Sequence, residues 1–155
     1  MDEMSFIVRK ETLKVSGEYK NLRRIRAFVN KLTGLAGFGE EEAYKVQLAV
    51  DEACSNIIEH AYGGENKGEI ECVCAFSEDY FFVQLKDNGQ PFDPDTIGYP
   101  NIKSNIEERG IGGLGVYFIR QLMDKITYKS IPVINNDKVL SVINELTMIK
   151  RRTMV

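Results

Sequence analysis

The residues best suited to chemistry are an acid and an amide, Glu52 and Asn56, that stand four positions apart. On a helix this spacing places them on neighbouring turns of one face. Asn56 could give an oxygen ligand to a hard cation such as Mg²⁺, and Glu52 could orient or deprotonate an attacking hydroxyl or water. The alternative interpretation is an ordinary polar flank beside a buried stripe, and the pair alone leaves both open.

A second candidate is Asp87, which continues a row of alternating residues, Phe81, Val83 and Leu85, on the core-facing side of a predicted strand. A buried acid is costly unless it has a partner, and the exocyclic amine of a purine would be such a partner. Gly89 would let a planar base approach the backbone closely. The alternative is that the Asp-Asn-Gly sequence simply forms the turn after the strand.

A third segment, residues 109–115, reads Arg-Gly-Ile-Gly-Gly-Leu-Gly and runs directly into a predicted helix. Clustered glycines at a helix start expose backbone N–H groups to an anion. No Gly-Lys-Ser/Thr follows, so the segment is not a P-loop, and no strand directly precedes it, which argues against a dinucleotide fingerprint. A glycine cluster by itself is weak evidence of a phosphate site.

The elements that must position these residues follow from the periodicity of the apolar residues. Residues 10–15 predict a strand and residues 18–32 a helix that frays at Thr33 and Gly34. A second helix is predicted from Glu40 to about Tyr62, where two glycines end it. The buried stripe of this helix comprises Val46, Val50, Ala53, Ile57 and Ala61.

The second half of the chain predicts mainly strands. Residues 69–76 and 80–86 form a hairpin, residues 114–124 a helix, and residues 125–131 and 139–149 two further strands. Residues 88–113 lack periodicity, and so long a connection is usually functional or mobile. The prediction is an α+β fold: one domain over residues 1–155, built as a two-layer α/β sandwich with helices on one face of a mostly antiparallel sheet.

Composition excludes several classes of protein. With 20 basic and 23 acidic residues, nothing favours nucleic-acid binding. The apolar runs are too short to cross a membrane, and no signal peptide is evident, so we expect a cytoplasmic protein. The three cysteines predict buried thiols rather than a disulfide framework. Residues 150–152, Lys-Arg-Arg, are expected to form a solvated tail.

The three segments in this order resemble the Bergerat ATP-binding fold, which histidine kinases share with type II topoisomerases, MutL and the ninety-kilodalton heat-shock chaperones. The resemblance covers residues 11–149. Residues 50–62 resemble the corresponding segment of the anti-sigma-factor serine kinases; they read Val-Asp-Glu-Ala-Cys-Ser-Asn-Ile-Ile-Glu-His-Ala-Tyr. So does Gly-Val-Tyr-Phe-Ile-Arg-Gln-Leu-Met-Asp-Lys-Ile, residues 115–126. The glycine-rich segment has one glycine more than the family's commoner pattern, which bears on how the lid closes over nucleotide.

This resemblance implies a role for each site residue. Asn56 would coordinate Mg²⁺ on the phosphates of ATP, Glu52 would act as base towards a serine of a partner protein, and Asp87 would bind the adenine amino group above Gly89. The implied contacts of the glycine-rich lid with the nucleotide are Arg109, Gly110, Gly112, Gly113, Leu114 and Gly115. A solvated loop arginine is an equal alternative for Arg109.

The resemblance also implies partners. The protein would phosphorylate a STAS-domain antagonist on Ser or Thr and, when free of it, sequester a sigma factor, acting as a homodimer. Two alternatives remain: a non-catalytic, nucleotide-dependent sequestering module, and a switch kinase whose target is not a sigma factor. We expect no direct nucleic-acid or membrane partner.

Overall fold

Five antiparallel strands in the order β1-β2-β3-β5-β4 form the sheet. The structure, a computed structural model, describes residues 6–91 and 119–153. The strands are β1 (Arg9–Ser16), β2 (Glu69–Phe76), β3 (Tyr80–Asp87), β4 (Lys125–Asn135) and β5 (Lys138–Arg151). The β2–β3 and β4–β5 hairpins were predicted, and β4 and β5 extend further than expected. Asn136 and Asp137 form their turn with positive φ angles of 52° and 63°.

One face of the sheet carries the core. Alternate residues of β2 and β3 point to it and are fully buried, as the period-2 pattern predicted. They are Ile70, Cys72 and Cys74 on β2 and Phe81, Val83 and Leu85 on β3. Both helices pack on this face, which confirms an α+β fold with helices on one side of an antiparallel sheet.

The opposite face carries charges in a regular order. At one level of the sheet the register brings together five residues of alternating sign, one from each strand. In strand order they are Lys14, Glu71, Lys86, Glu145 and Lys129. The Lys86 ammonium lies 3.9 Å from the Glu145 carboxylate. Opposite charges on paired residues stabilise neighbouring strands, and a charged face of this kind is suited to solvent.

The first helix begins and ends later in the chain than its sequence predicts. A 3₁₀ turn, Tyr19–Asn21, leads into α1, Leu22–Leu35, so the expected fraying at Thr33 and Gly34 is wrong. Thr33 is buried, and its hydroxyl donates to the Asn30 carbonyl oxygen at 3.1 Å. This packing against the core outweighs the weak helix propensity of Thr and Gly.

The second helix, α2, spans Glu40–Asn56 and continues as a π-helical turn, Ile57–Ala61. The predicted stripe from Val46 to Ala61 is buried throughout. The helical path ends where Gly63 and Gly64 adopt φ angles of 72° and 148°, a region that favours glycine. The predicted stop at this glycine pair is confirmed, but the sequence did not indicate the π turn.

The three cysteines are fully buried free thiols, as predicted. Burial raises the pKa of the Cys54 thiol well above its ordinary value. The Sγ atoms of Cys72 and Cys74 lie 4.0 Å apart on the core face. In the part of the chain that the structure describes, no helix is long and apolar enough to span a membrane.

The predicted helix over residues 114–124 is described only from Ile119 onward. Residues 119–122 are helical, and Ile119 and Met123 are buried in the core formed by the two long helices and the sheet. This short segment leads directly into β4. Its end is fixed to the neighbouring strand β5, because the Asp124 amide donates to the Ile149 carbonyl oxygen at 2.9 Å.

The side chains of Lys150 and Arg152 are structural, which corrects the assignment of residues 150–152 as a solvated tail, whereas the Arg151 side chain is exposed as that assignment expected. Lys150 is 8% exposed, and its ammonium lies 3.4 Å from a Glu42 carboxylate oxygen and 3.6 Å from one of Asp124. The ammonium therefore links the first turn of α2 to the start of the β4 hairpin. A buried cation needs such partners, and the sequence could not reveal that residues so distant supply them.

Arg152 fixes the turn between the two helices to the β2–β3 turn. Its guanidinium donates to the Glu78 carbonyl at 2.8 Å, to the Gly37 carbonyl at 2.8 Å and to the Ala36 carbonyl. It also lies 4.6 Å from the centroid of the Phe38 ring, in a cation–π contact. One side chain thus joins three separate segments of the fold.

Replacing Arg152 with Ala should lower the free energy of unfolding by about 1–2 kcal/mol, because several hydrogen bonds and a ring contact are lost together. Arg151→Ala is the matched control, since the Arg151 side chain is exposed, and should change stability by no more than about 0.5 kcal/mol. Urea denaturation of both variants measures the difference. Equal stability of the two would contradict the structural role of Arg152.

Candidate functional site

Glu52 lies on the exposed side of α2, where a cavity of about 500 Å³ opens. Leu48, Asp51, Glu52 and Ser55 line it from the helix, and Leu122 lines it from the segment before β4. Glu52 is partly exposed, so its carboxylate can be reached by a bound molecule. The acid that the sequence singled out is therefore at a concave, partly apolar surface, as ligand sites usually are.

The electrostatic surroundings of Glu52 suit a base. Burial is the largest cause that raises its pKa, and the negative charges of Glu59 and Asp51 raise it further. Asp51 is itself held by Arg26, whose Nε donates to both carboxylate oxygens at 3.0 and 3.1 Å. A carboxylate with a raised pKa takes up a proton more readily than an exposed one, which favours general base chemistry.

Asn56 is the last residue of α2 and is 6% exposed. It stands where the helix changes from α to π geometry, one turn beyond Glu52. Within the described residues, its side chain forms no hydrogen bond, although a buried amide normally has one. π turns within helices are frequent at functional sites. The amide is thus placed to bind a ligand or ion.

Asp87 is the last residue of β3 and is 8% exposed. Its Oδ1 accepts two hydrogen bonds, from the Gly89 amide and from the Asn144 side chain, each at 2.9 Å. Burial raises the pKa of this carboxyl, and the two hydrogen bonds oppose that rise. The core-facing acid predicted from the strand alternation is confirmed as buried.

Asn144 was not predicted as part of the site. It is 1% exposed on β5, donates to Asp87 and also to the Gly89 carbonyl oxygen at 3.0 Å, and accepts from the Ser130 hydroxyl at 2.7 Å. The available signal was a polar residue in a strand position whose alternation otherwise reads Leu146, Met148. Its partners could not be named without the register of β3 and β5.

Gly89 is required by the protein's own packing. A Cβ atom at this position would lie 2.5 Å from the carbonyl oxygen of Ala61, in the π turn, and 3.0 Å from the Ala61 Cβ. The Gln90 amide donates to the same carbonyl at 2.7 Å. The group that lies close to Gly89 is the end of the second helix, and the predicted approach of a planar base to this glycine stays a prediction.

Tyr62 strengthens the contact between the end of the second helix and the turn after β3, and it was not identified from the sequence. Its hydroxyl donates to the Glu69 carbonyl oxygen at 2.5 Å and accepts from the Asn88 amide at 3.2 Å. A Cβ atom on Gly68 would overlap the Tyr62 ring. The tyrosine thus ties the turn that follows β3 to the start of β2.

These contacts fix the end of the helix that carries Glu52 and Asn56 against the turn that follows Asp87. Ala61 touches Gly89, and Glu52 lies about 13 Å farther back along the helix, at roughly 1.5 Å per residue. Neither Asn56 nor Asp87 lines the cavity beside Glu52, and Asp87 lines a different cavity together with Lys86 and Asn88. The predicted lid contacts, Arg109, Gly110, Gly112, Gly113, Leu114 and Gly115, lie outside the described residues.

A helix that carries an acid–amide pair, docked on a strand that ends in a buried aspartate, defines a histidine kinase-like ATPase domain. A family model with that description matches residues 15–150. Among curated proteins, the chain is 36% identical over 118 residues to the serine-protein kinase RsbW of Listeria monocytogenes, with 74% of each chain covered. It is 30% identical over 122 residues to RsbW of Bacillus velezensis, with 76% of each covered. The chain belongs to the RsbW family of serine-protein kinases, as its motifs predicted.

Solved structures agree on the fold. The structure of the RsbU and RsbW domains of a Mycobacterium tuberculosis protein matches with a TM-score of 0.62 at 14% identity, over 96% of this chain and 34% of that one. The SiaB–SiaC complex of Pseudomonas aeruginosa matches with a TM-score of 0.61 at 12% identity, over 92% and 90% of the two chains. At such low identity, these matches bear on the architecture alone.

Asp87→Asn should reveal the cost of burying this carboxylate. The folded pKa is raised, so the native state binds the proton more tightly than the unfolded state. Wild-type stability attributable to Asp87 therefore rises as pH falls from the folded pKa towards the ordinary pKa of aspartate. The asparagine variant lacks this contribution but keeps an oxygen acceptor.

We expect the variant to be at least as stable as the wild type at neutral pH, with an advantage that shrinks on acidification. Denaturant unfolding of both proteins across the acidic range measures it. An advantage that grows as the pH falls would contradict the raised pKa.

Gly89→Ala should destabilise the protein by about 1–3 kcal/mol, because its methyl group would meet backbone atoms of Ala61 that cannot move aside cheaply. Gly34→Ala is the control: nothing lies within 4 Å of that Cβ position in α1, so the helix should gain up to about 1 kcal/mol. Thermal unfolding distinguishes the two. A neutral Gly89→Ala would show that the turn and the helix end are not in close contact.

Proposed function

We propose that this protein is an anti-sigma-factor serine kinase that binds Mg-ATP and phosphorylates a STAS-domain antagonist on a serine or threonine. The observation that carries the proposal is the pairing on one helix of a raised-pKa acid, Glu52, with a buried amide, Asn56, one turn away. The RsbW relatives named as serine-protein kinases support the reaction type.

The described residues fit a nucleotide. Oδ2 of Asp87 accepts no hydrogen bond within the described part of the chain, so it is available to an adenine amino group. Asn56 would give an oxygen to Mg²⁺, and the bound metal would supply neutralisation of the phosphate charge. Among the described residues, no group of three or more Asp, Glu, His or Cys side chains is arranged so that it could hold a metal ion. The metal would therefore depend on Asn56 and on the phosphates themselves. We assign the phosphate contacts to the glycine-rich segment, residues 109–115.

Glu52 would take the proton of the acceptor hydroxyl. As the serine oxygen forms its bond to the γ-phosphorus, the bond from that phosphorus to the bridging oxygen of ADP breaks, and the released proton passes to Glu52. The cavity beside Glu52 leaves room for the acceptor side chain. Positioning supplies most of the rate enhancement in such reactions.

We also propose that the protein takes part in a partner switch in the cytoplasm. One structural neighbour is a SiaB–SiaC complex, which is consistent with a second protein docking on this architecture. We assign the free protein to sequester a sigma factor, and we place all of residues 1–155 in one ATPase domain. Phe6 and Val8 are 63% and 73% exposed beside β1, which is an edge strand of the sheet, and this exposed apolar edge supports a homodimer.

The kinase is tested with γ-labelled ATP, Mg²⁺ and STAS-domain proteins encoded in the same genome. We expect label on a serine or threonine of one of them. Glu52→Gln should reduce transfer by about 100-fold or more, since general base catalysis contributes 10²–10⁴-fold, while nucleotide binding is retained. Asn56→Ala should lose both transfer and Mg-dependent nucleotide binding.

Glu41→Gln is the control, because this glutamate is exposed in the first turn of α2, far from the cavity, and should leave transfer unchanged. Tight ATP binding without transfer to any candidate would replace the kinase with a nucleotide-dependent sequestering module. Transfer to a protein that controls no sigma factor would keep the kinase and change its target.

A further inference from the structure

A polar row crosses three strands at the end of the core face. Asp87 on β3 is the register partner of Asn144 on β5, which is in turn the partner of Ser130 on β4. The next level on that face is apolar, with Leu85 opposite Leu146. A polar residue buried as deeply as Asn144 is costly unless its hydrogen bonds are made. The hydrogen-bond partners of the row therefore have to be identified.

Every hydrogen bond in the row has a fixed direction. The Asn144 amide nitrogen donates to Oδ1 of Asp87 at 2.9 Å and to the Gly89 carbonyl at 3.0 Å. The Asn144 oxygen accepts from the Ser130 hydroxyl at 2.7 Å. Reversing the amide would set its oxygen against two other acceptors, because neither a carboxylate nor a carbonyl can donate. Asn144 can therefore take only this orientation.

Both hydrogen bonds that Asp87 accepts go to one of its carboxylate oxygens, so the other oxygen stays available to a ligand. Oδ1 already accepts from Asn144 and from the Gly89 amide, whereas Oδ2 has no hydrogen-bond partner among the described residues. Two donors therefore hold the carboxylate through Oδ1, and Oδ2 is its one acceptor that no described residue uses. Such an acceptor favours a ligand that donates an N–H and rejects one that presents only an acceptor or a C–H.

We propose that Asn144, oriented by Ser130, is the positioning residue that makes Asp87 select a nucleotide whose base carries an exocyclic amino group. This inference rests on the proposed nucleotide-binding function and assigns the selection of the base to a residue that does not itself touch the base. Without Asn144, the carboxylate would lose one of its two fixed partners and could turn away from the ligand.

The test compares two ligands by isothermal titration calorimetry: ATP, and purine riboside triphosphate, which lacks only the 6-amino group. The wild type should bind ATP more tightly than the analogue. Asn144→Leu, which keeps the position filled next to Leu146, should weaken ATP binding about tenfold or more and change binding of the analogue far less. The preference for ATP should therefore largely disappear.

Ser130→Ala gives a second measurement if the leucine variant does not fold. It should lower the preference by a smaller factor, roughly threefold, because solvent can reach the exposed Ser130 position and replace part of the hydrogen bond. Ser130→Thr keeps the hydroxyl and should restore the preference. Ser141→Ala, at an exposed position on the same hairpin, is the control and should match the wild type. Thermal unfolding of each variant establishes that it is folded.

The outcomes separate this inference from the function on which it rests. If the affinities for ATP and the analogue fall by the same factor in Asn144→Leu, the residue acts only on the fold, and the proposal is overturned. The same holds if Ser130→Ala and Ser130→Thr behave alike. If the wild-type protein binds neither nucleotide, the proposed function fails first, and the inference fails with it.

Discussion

The contact between the end of the second helix and the turn after β3 is the constraint on which the site depends. The Ala61 carbonyl oxygen accepts a hydrogen bond from the Gln90 amide, and Gly89 packs against the same peptide group. Because of this contact, the helix that carries Glu52 and Asn56 has a fixed position relative to Asp87. Ala61 is the last residue of the π turn, and carbonyl oxygens at a helix end lack partners within the helix, so this one is available to the Gln90 amide.

The two acids of the site have raised pKa values for partly different reasons. The pKa of Glu52 is raised first by burial and then by the negative charges of Glu59 and Asp51, which lie on the same helical path. Burial is the only cause that raises the pKa of Asp87, and hydrogen bonds from another strand and from the following turn oppose that rise. The first environment is suited to proton transfer. The second is suited to holding a fixed acceptor in a low-dielectric surrounding.

Local patterns predicted most of the fold and part of the site. The alternation of Ile70, Cys72 and Cys74 identified a strand face, and the spacing from Val46 to Ala61 identified the buried side of a helix, because both depend only on neighbouring residues. Asn144 could not be connected to Asp87, since 57 positions separate them and only the sheet register brings them together. For the same reason Lys150 and Arg152 were mistaken for a tail: their partners are remote in the chain, and charge alone indicates solvent.

The alternating charges across the outer face of the sheet also restrict how molecules of this protein can meet. A second sheet laid flat on this face would have to strip water from five ionic side chains that already have neighbours of opposite sign. Stacking of sheets, the route to ordered aggregates, is therefore disfavoured at this level of the face, while the apolar cluster of Ala75, Phe82 and Ile149 lies elsewhere on it. The arrangement also depends on each member of the row. Reversing the charge of Glu71 would place three positive charges on neighbouring strands, because Lys14 and Lys86 are its register partners on either side. Like charges on paired residues repel, so the strand pairs on both sides of β2 would be weakened.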